Sequence, residues 1–176
     1  MRIRDAKIDD APSLAQVHVE SWQIAYRGIL PALYLANLSI ERATEIWQGW
    51  IKRPEPGQFH LVSEKEEFGI VGFASGCPEK AMTSRNRGEL TAIYLLPEYQ
   101  KQRIGGALFQ AVVGRFVMQG YSGMISWMLS ENPAGPFYRK MGGVPAATKL
   151  EIVGGVEKEL TAFGWTDFNS LIVGSL

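Results

Sequence analysis

Hydrophobic residues recur along the chain with two different spacings, which separate predicted helices from predicted strands. Spacings of three and four residues are typical of a helix with one buried face. They occur after Pro12, after Ser39 and over residues 104–117, where we predict three helices. A short helix is also predicted for residues 133–141. Apolar or alternating runs of strand length predict seven strands, at residues 2–5, 59–63, 68–75, 88–96, 124–129, 149–153 and 156–163.

The order of these elements is β-α-α-β-β-β-α-β-α-β-β, and most successive strands are separated by turns too short for a crossover. Only the helix at 104–117 can connect two parallel strands. We therefore predict an α/β (α+β) fold with a central mixed, mostly antiparallel sheet of about seven strands and about four flanking helices. A single domain is expected over residues 1–165, and residues 166–176 form a C-terminal tail of unknown role.

Composition and charge exclude several classes of protein. The 176 residues include 18 Lys plus Arg and 18 Asp plus Glu, with 46% hydrophobic residues. A balanced charge argues against a protein that wraps nucleic acid, and a single cysteine, Cys77, cannot form an intrachain disulfide. The chain lacks a signal-peptide pattern and an apolar run of about 18 residues. We therefore expect a cytoplasmic protein with no membrane or nucleic-acid partner.

A turn with candidate chemistry follows the strand at 88–96. The next helix starts near Ile104, with two glycines in its first turn and with Lys101 and Arg103 just before it. The first N–H groups of a helix have no partner within it and carry partial positive charge, so this turn predicts an anion site of phosphate size. Alternatively, Gly105 and Gly106 only allow the helix to pack closely on the sheet. The glycine patterns of P-loop nucleotide hydrolases and of dinucleotide-binding enzymes are both missing.

The run P-E-Y-Q-K-Q-R-I-G-G-A-L, residues 97–108, resembles the pyrophosphate-binding motif [QR]-x-x-G-x-[GA] of the GNAT superfamily of acyl-CoA-dependent N-acyltransferases. The element order resembles that fold from residue 1 to about 165, and S-W-Q-I-A-Y-R-G-I-L-P resembles its first helix and substrate-side loop. Aligned on Gln100, the motif has Arg103 in place of its first glycine. A shifted alignment on Gln102 also satisfies the pattern, but it lies further from the strand.

The resemblance implies a cofactor site and a substrate site. Ile93, Tyr94 and Leu95 would contact the pantetheine arm and thioester of acetyl-CoA from the strand edge. Asn132, in N-P-A-G-P-F-Y-R-K-M-G-G, would contact the cofactor, although it also suits a helix cap. The pyrophosphate would be held by Gln100, Lys101, Gln102, Arg103, Ile104, Gly105 and Gly106, and the acceptor pocket would include Trp22 and Tyr26, for which core packing is the alternative.

Candidate catalytic groups follow from the reaction that the resemblance implies. A free primary amine has a pKa near about 10.4, so it must lose a proton before it attacks a thioester. Glu89 is where several family members place a base, and the alternative is a solvated charge at a strand end. Tyr138 would face the sulfur, or it is an edge aromatic with its hydroxyl in water. His18 and Cys77 could also react, but a packed or surface histidine and a buried thiol are the favoured interpretations.

The sequence therefore predicts an acetyl-CoA-dependent N-acetyltransferase that acts on a small amine, an amino acid or a protein amino group. Attack would be direct, within a ternary complex, with no metal. A non-catalytic acyl-CoA sensor is the first alternative, and a structural or dimerising domain is the second. The sequence leaves open the acceptor and whether the protein is a homodimer.

Overall fold

Seven strands form one sheet through the protein. In this computed structural model, which describes residues 1–79, 87–168 and 171, the sheet order is β1-β2-β3-β4-β5-β7-β6. All neighbouring strands are antiparallel except β4 and β5. The strands are β1 (Arg2–Asp5), β2 (Phe59–Lys65), β3 (Gly69–Pro78), β4 (Arg87–Leu95), β5 (Gly123–Leu129), β6 (Val144–Val153) and β7 (Val156–Trp165).

Helices cover both faces of this sheet. α1 and α3 pack on one face against β2, β3 and β4, and α4 packs on the other face. We call these the α1 face and the α4 face. The helices are α1 (Ala11–Ala25), α2 (Ala32–Ala36), α3 (Ile40–Lys52), α4 (Ile104–Met118) and α5 (Gly135–Lys140).

The predicted mixed sheet and its strand order along the chain are confirmed, with two differences. The prediction omitted α2, because five residues are too few to show a helical period and Pro31 directly precedes them. It also began β6 at residue 149, whereas β6 begins at Val144. All but the last residue of β6 are exposed, so burial imposes no alternation there, and pairing with β7 decides where the strand starts.

A β-bulge at Thr91 sets which way the side chains of β4 point. Ala92 pairs with Ser75 and Leu90 with Gly76, so Thr91 is the extra residue, and its hydroxyl donates to the Ser75 carbonyl at 3.1 Å. The bulge changes the alternation along the strand. Leu90, Ile93 and Leu95 pack on the α4 face, whereas Ala92 and Tyr94 pack on the α1 face.

The two parallel strands separate soon after they pair. Only three residue pairs join β4 to β5, and Glu89 with Ile125 is the last of them. One side-chain bond follows, from the Ser126 hydroxyl to the Leu90 carbonyl at 2.8 Å. Beyond it β4 runs on to Leu95 and β5 to Leu129 with no further pairing between them. A wedge-shaped gap therefore opens in the sheet, with its vertex at Glu89 and Ser126.

Parts of two predicted segments lie outside the described residues. The loop after Cys77 includes residues 80–86, and the C-terminal tail includes residues 169–170 and 172–176. Within the tail, Phe168 is buried in the core on the α4 face, and Leu171 packs against it. None of the helices in the described part of the chain is long and apolar enough to span a membrane.

Candidate active site

The turn between β4 and α4 lies at the open end of the gap. Lys101 and Arg103 both adopt left-handed backbone conformations, with φ of 59° and 65°. Turns of this kind direct successive N–H groups to one side and form anion-binding concavities. The first backbone hydrogen bond across the start of α4 runs from Ala107 N–H to Arg103 C=O at 3.1 Å. The N–H groups of residues 104–106 precede that bond, so they are available to a ligand.

The left-handed conformation of Arg103 explains its place in the motif. Glycine adopts positive φ without cost, so a motif glycine is expected where the backbone needs that conformation. Aligned on Gln100, the first motif glycine falls on Arg103, with φ of 65°. In the shifted alignment the corresponding residue, Gly105, lies inside α4. The geometry therefore favours the alignment on Gln100.

Side chains of the turn hold its shape. The Gln100 amide donates to the Leu95 carbonyl at 3.2 Å, and the Gln102 amide donates to the Glu98 carbonyl at 2.8 Å. Ile104 is buried in the core on the α4 face. These three residues can therefore offer a ligand their backbone groups, whereas the exposed side chains of Lys101 and Arg103 are free to add positive charge.

The two glycines of α4 face α5. A Cβ atom on Gly105 would lie 3.3 Å from Phe137 Cε2, and one on Gly106 would lie 4.0 Å from Met141 Sδ. Close packing is therefore one function of Gly105, although the contact is with α5 rather than with the sheet. Gly106 has room for a side chain, so packing does not require glycine there.

Tyr138 brings its ring to the vertex of the gap from α5. It is 7% exposed, and its ring stacks on Phe163 with a centroid distance of 5.3 Å. Burial raises the pKa of Tyr138 to about 12, and the nearby Ser126 hydroxyl opposes that rise. The Tyr138 hydroxyl is therefore a neutral donor near the point where β4 and β5 separate.

Glu89 lies at the same vertex but on the opposite face. Its neighbour Leu90 points to the α4 face, so the Glu89 side chain points to the α1 face. It is partly exposed and pairs across the ladder with Cys77 and Ile125. Cys77 is 4% exposed, in agreement with the prediction of a buried thiol.

Four aromatic side chains form a cluster on the α1 face beside the gap. His18, Trp22 and Tyr26 are four residues apart on or at the end of α1, and they face Tyr94 of β4. The hydroxyls of Tyr26 and Tyr94 lie 3.0 Å apart, and the His18 ring stacks on Tyr94 at 5.8 Å. The Trp22 indole N–H faces the Tyr94 hydroxyl and slightly opposes the rise in the pKa of Tyr94, but it makes no hydrogen bond with the described residues.

Burial controls protonation within this cluster. It raises the pKa of Tyr94 well above its usual value and lowers the pKa of His18 to about 4. The His18 ring also packs against Trp47 and Phe73, so of the two predicted environments the structure shows the packed one. The structure also separates Tyr94 from Ile93 and Leu95, because its side chain lies on the α1 face and theirs pack on the α4 face.

Asn132 closes the turn between β5 and α5. Its side-chain oxygen accepts a hydrogen bond from Ala134 N–H at 2.9 Å. The N-cap of α5 is Ala134, and no side chain caps the helix, so the predicted helix cap at Asn132 is wrong: its side chain holds the turn before the helix, and its amide NH₂ group is left for another partner. The described residues contain no group of three or more His, Cys, Asp or Glu side chains arranged to hold a metal.

Two residues of the site have no signal in the sequence. Ser126 bonds to β4 and lies near Tyr138, and Phe137 lies beside Gly105. A serine inside an apolar strand and a phenylalanine in a short helix are both ordinary, so only the fold shows their position.

Comparisons with known proteins agree on one family. The model of the "Acetyltransferase (GNAT) family" matches residues 19–143. The uncharacterized N-acetyltransferase YuaI of Bacillus subtilis (strain 168) is 33% identical over 169 residues, which are 96% of this chain and 95% of that protein.

Solved structures share the fold. PaiA N-acetyltransferase from Thermoplasma acidophilum, in complex with coenzyme A, superposes with a TM-score of 0.69 at 23% identity over 91% of this chain and 96% of its own. The yncA protein of Salmonella typhimurium, solved with acetyl-CoA, gives a TM-score of 0.70 at 19% identity over 94% of this chain and 93% of its own. At these identities the likeness concerns the fold alone.

Proposed function

The chain belongs to the GNAT family of acetyltransferases, and we propose that it transfers an acetyl group from acetyl-CoA to a primary amine. The acceptor would be a small molecule, an amino acid or a protein amino group. The observation that carries this proposal is the gap between β4 and β5, with the N–H-rich turn at its open end and Tyr138 buried at its vertex.

The shape of the gap suits the two ends of an acyl-CoA. Residues 92–95 of β4 have a backbone edge that β5 does not pair, and such an edge can bind an extended arm through main-chain hydrogen bonds. The turn at 100–106 combines unpaired N–H groups with Lys101 and Arg103, which suits a pyrophosphate. The complexes of PaiA with coenzyme A and of yncA with acetyl-CoA support the same ligand here.

Opposite faces of the sheet would supply the reaction partners. On the α1 face, Glu89 would accept a proton from the incoming ammonium, directly or through water, since only a neutral amine can attack. Trp22 and Tyr26 lie on that face and would line the acceptor pocket. The N–H groups of β4 near residues 93–95 would stabilise the charge that develops on the thioester oxygen.

Tyr138 would act on the leaving sulfur. Burial raises the pKa of Tyr138 to about 12, above the value of about 8.5 for a free thiol, so full proton transfer to the leaving thiolate is unfavourable. Burial also raises the proton affinity of the thiolate, which reduces this cost. Donation of a hydrogen bond to the developing thiolate requires no transfer, so we assign this role to Tyr138 first.

Two measurements test the function. Coenzyme A should raise the melting temperature, because a ligand that binds only the folded state stabilises it. A panel of amines with acetyl-CoA should then release free thiol for at least one class of acceptor. Binding without turnover on any amine would instead indicate a non-catalytic acyl-CoA sensor, and no binding would refute the cofactor site.

A matched pair of variants locates the anion site. Gly106 has space for a side chain, so Gly106→Gln and Gly106→Glu add similar bulk and differ only in charge. Coenzyme A should bind Gly106→Glu at least tenfold more weakly than Gly106→Gln, since the carboxylate would repel phosphates at the start of α4. Equal affinities would place the pyrophosphate elsewhere.

A further inference from the structure

β6 is an edge strand with an unusual amount of exposed apolar surface. It is ten residues long, and Val144, Leu150 and Ile152 are 65%, 62% and 70% exposed. The opposite edge, β1, has only four residues. None of the described residues pairs with the outer side of β6. A long apolar edge of this kind is a template for another strand.

The hydrogen bonds of β7 show which backbone groups of β7 point toward β6. The Glu159 carbonyl accepts a bond from Ser130 N–H at 2.9 Å, on the β5 side of the strand. Successive residues of a strand direct their backbone groups to opposite sides. Lys158 and Leu160 therefore point their N–H and C=O groups toward β6.

The pairing of β6 with β7 then identifies the free groups of β6. Glu151 pairs with Lys158 and Lys149 pairs with Leu160, so the backbone groups of Lys149 and Glu151 form hydrogen bonds with β7. The residues between and beside them, Leu150 and Ile152, point their N–H and C=O groups outward, as does residue 148. These are the groups that a further strand would bond.

The side chains of β6 divide into a charged face and an apolar face. The Lys149 ammonium lies 4.3 Å from the centre of the Trp127 ring and 2.6 Å from Glu151, so both charges are on the α1 face. Leu150 and Ile152 point to the opposite face. Lys149 precedes Leu150 and Glu151 follows it, so the charge pattern of this edge is complementary to its own antiparallel copy.

We propose that β6 pairs antiparallel with β6 of a second copy of this chain, about a two-fold axis at Leu150. This register places outward groups opposite outward groups, with Leu150 opposite Leu150 and Ile152 opposite Thr148. Lys149 then lies opposite Glu151 of the second copy, at a position without backbone hydrogen bonds where side chains are closest. The two sheets become one continuous sheet.

Charge disfavours the neighbouring registers. An axis at Lys149 places the two Lys149 side chains directly opposite each other, and an axis at Glu151 does the same for Glu151. Like charges directly opposite are destabilising. The axis at Leu150 replaces these contacts by two Lys149–Glu151 pairs, and it places each Ile152 diagonally beside Leu150 of the second copy. Pairing of the two β6 strands does not require acetyl transfer.

Charge exchange tests this register by sedimentation over a range of protein concentrations. Lys149→Glu and Glu151→Lys should each weaken self-association at least tenfold, because each places like charges opposite. A mixture of the two single variants should associate as the native protein does, and so should the double exchange. Glu45→Lys on α3, far from β6, is the matched control and should have no effect.

Cross-linking supplies an independent readout. The only cysteine of the chain, Cys77, is buried, so any intermolecular disulfide would come from an added surface cysteine. Leu150→Cys should form an intermolecular disulfide on mild oxidation, since residues opposite at a bonded position have Cα atoms about 5.5 Å apart. Thr148→Cys should cross-link to Ile152→Cys but poorly to itself. A native protein that stays monomeric, or a dimer indifferent to the charge exchanges, would overturn the proposal.

Discussion

Replacing Tyr138 by phenylalanine isolates the contribution of one hydroxyl to acetyl transfer. The ring stays stacked on Phe163, so the packing is retained, and only the donor near the vertex of the gap is lost. Burial holds the pKa of Tyr138 at about 12, so the hydroxyl is neutral and can donate at every working pH. Its loss should act on the transition state, where negative charge develops on sulfur.

The size of the effect separates two mechanisms. A hydrogen bond to a charged group contributes about 1.5–3 kcal/mol, which corresponds to a loss of about 10- to 150-fold in kcat. Proton transfer by a general acid contributes about 10²–10⁴-fold. Because Tyr138 is a weaker acid than the leaving thiol, donation of a hydrogen bond is favoured over proton transfer, and we expect Tyr138→Phe to lower kcat by about 10- to 150-fold.

The assay needs an amine for which chemistry limits turnover, verified by the absence of a product burst. The KM for acetyl-CoA should change by no more than a few-fold, since the interaction forms only in the transition state. Tyr121→Phe, on the far side of the core beside Phe116, is the matched control. An unchanged kcat would refute the role of Tyr138, and a basic limb near pH 10 that disappears in the variant would refute the raised pKa.

Three further predictions follow from the site and its surroundings. Glu89→Gln should lower kcat/KM by about 10²-fold at neutral pH, and the loss should shrink as pH approaches the amine pKa of about 10.4. Arg103→Gly should keep the native stability, whereas Arg103→Val, which loses the same charge, should be less stable than the glycine variant by about 1–2 kcal/mol, measured by denaturant unfolding. Burial lowers the pKa of His18 and of His60 to about 4. As pH falls below about 6.5, the unfolded state therefore binds protons before the folded state does. The unfolding free energy should drop between pH 6.5 and 4, by about 2 kcal/mol per histidine at pH 5. His18→Gln and His60→Gln should each remove the part of that pH dependence that comes from its own ring. An unfolding free energy of the native protein that does not change over this pH range would contradict the burial of both rings.

Elements with one buried face could be predicted from the sequence because burial imposes a period on it. In α4, Ile104, Leu108, Val112 and Phe116 recur every four residues, and all are buried. The start of β6 carries no such period because neither of its faces is covered, and α2 is shorter than two helical turns. Their positions depend on partners that are distant along the chain.

The turn at 100–106 could be predicted from the sequence, because its chemistry lies in consecutive residues between a strand and a helix. The gap, in contrast, depends on tertiary structure, since β4 and β5 separate only after Glu89 has paired with Ile125. It also decided that Tyr94 faces Tyr26, because a single bulge in β4 shifts every later side chain to the other face. Contacts between such distant residues depend on register and packing, which no local pattern records.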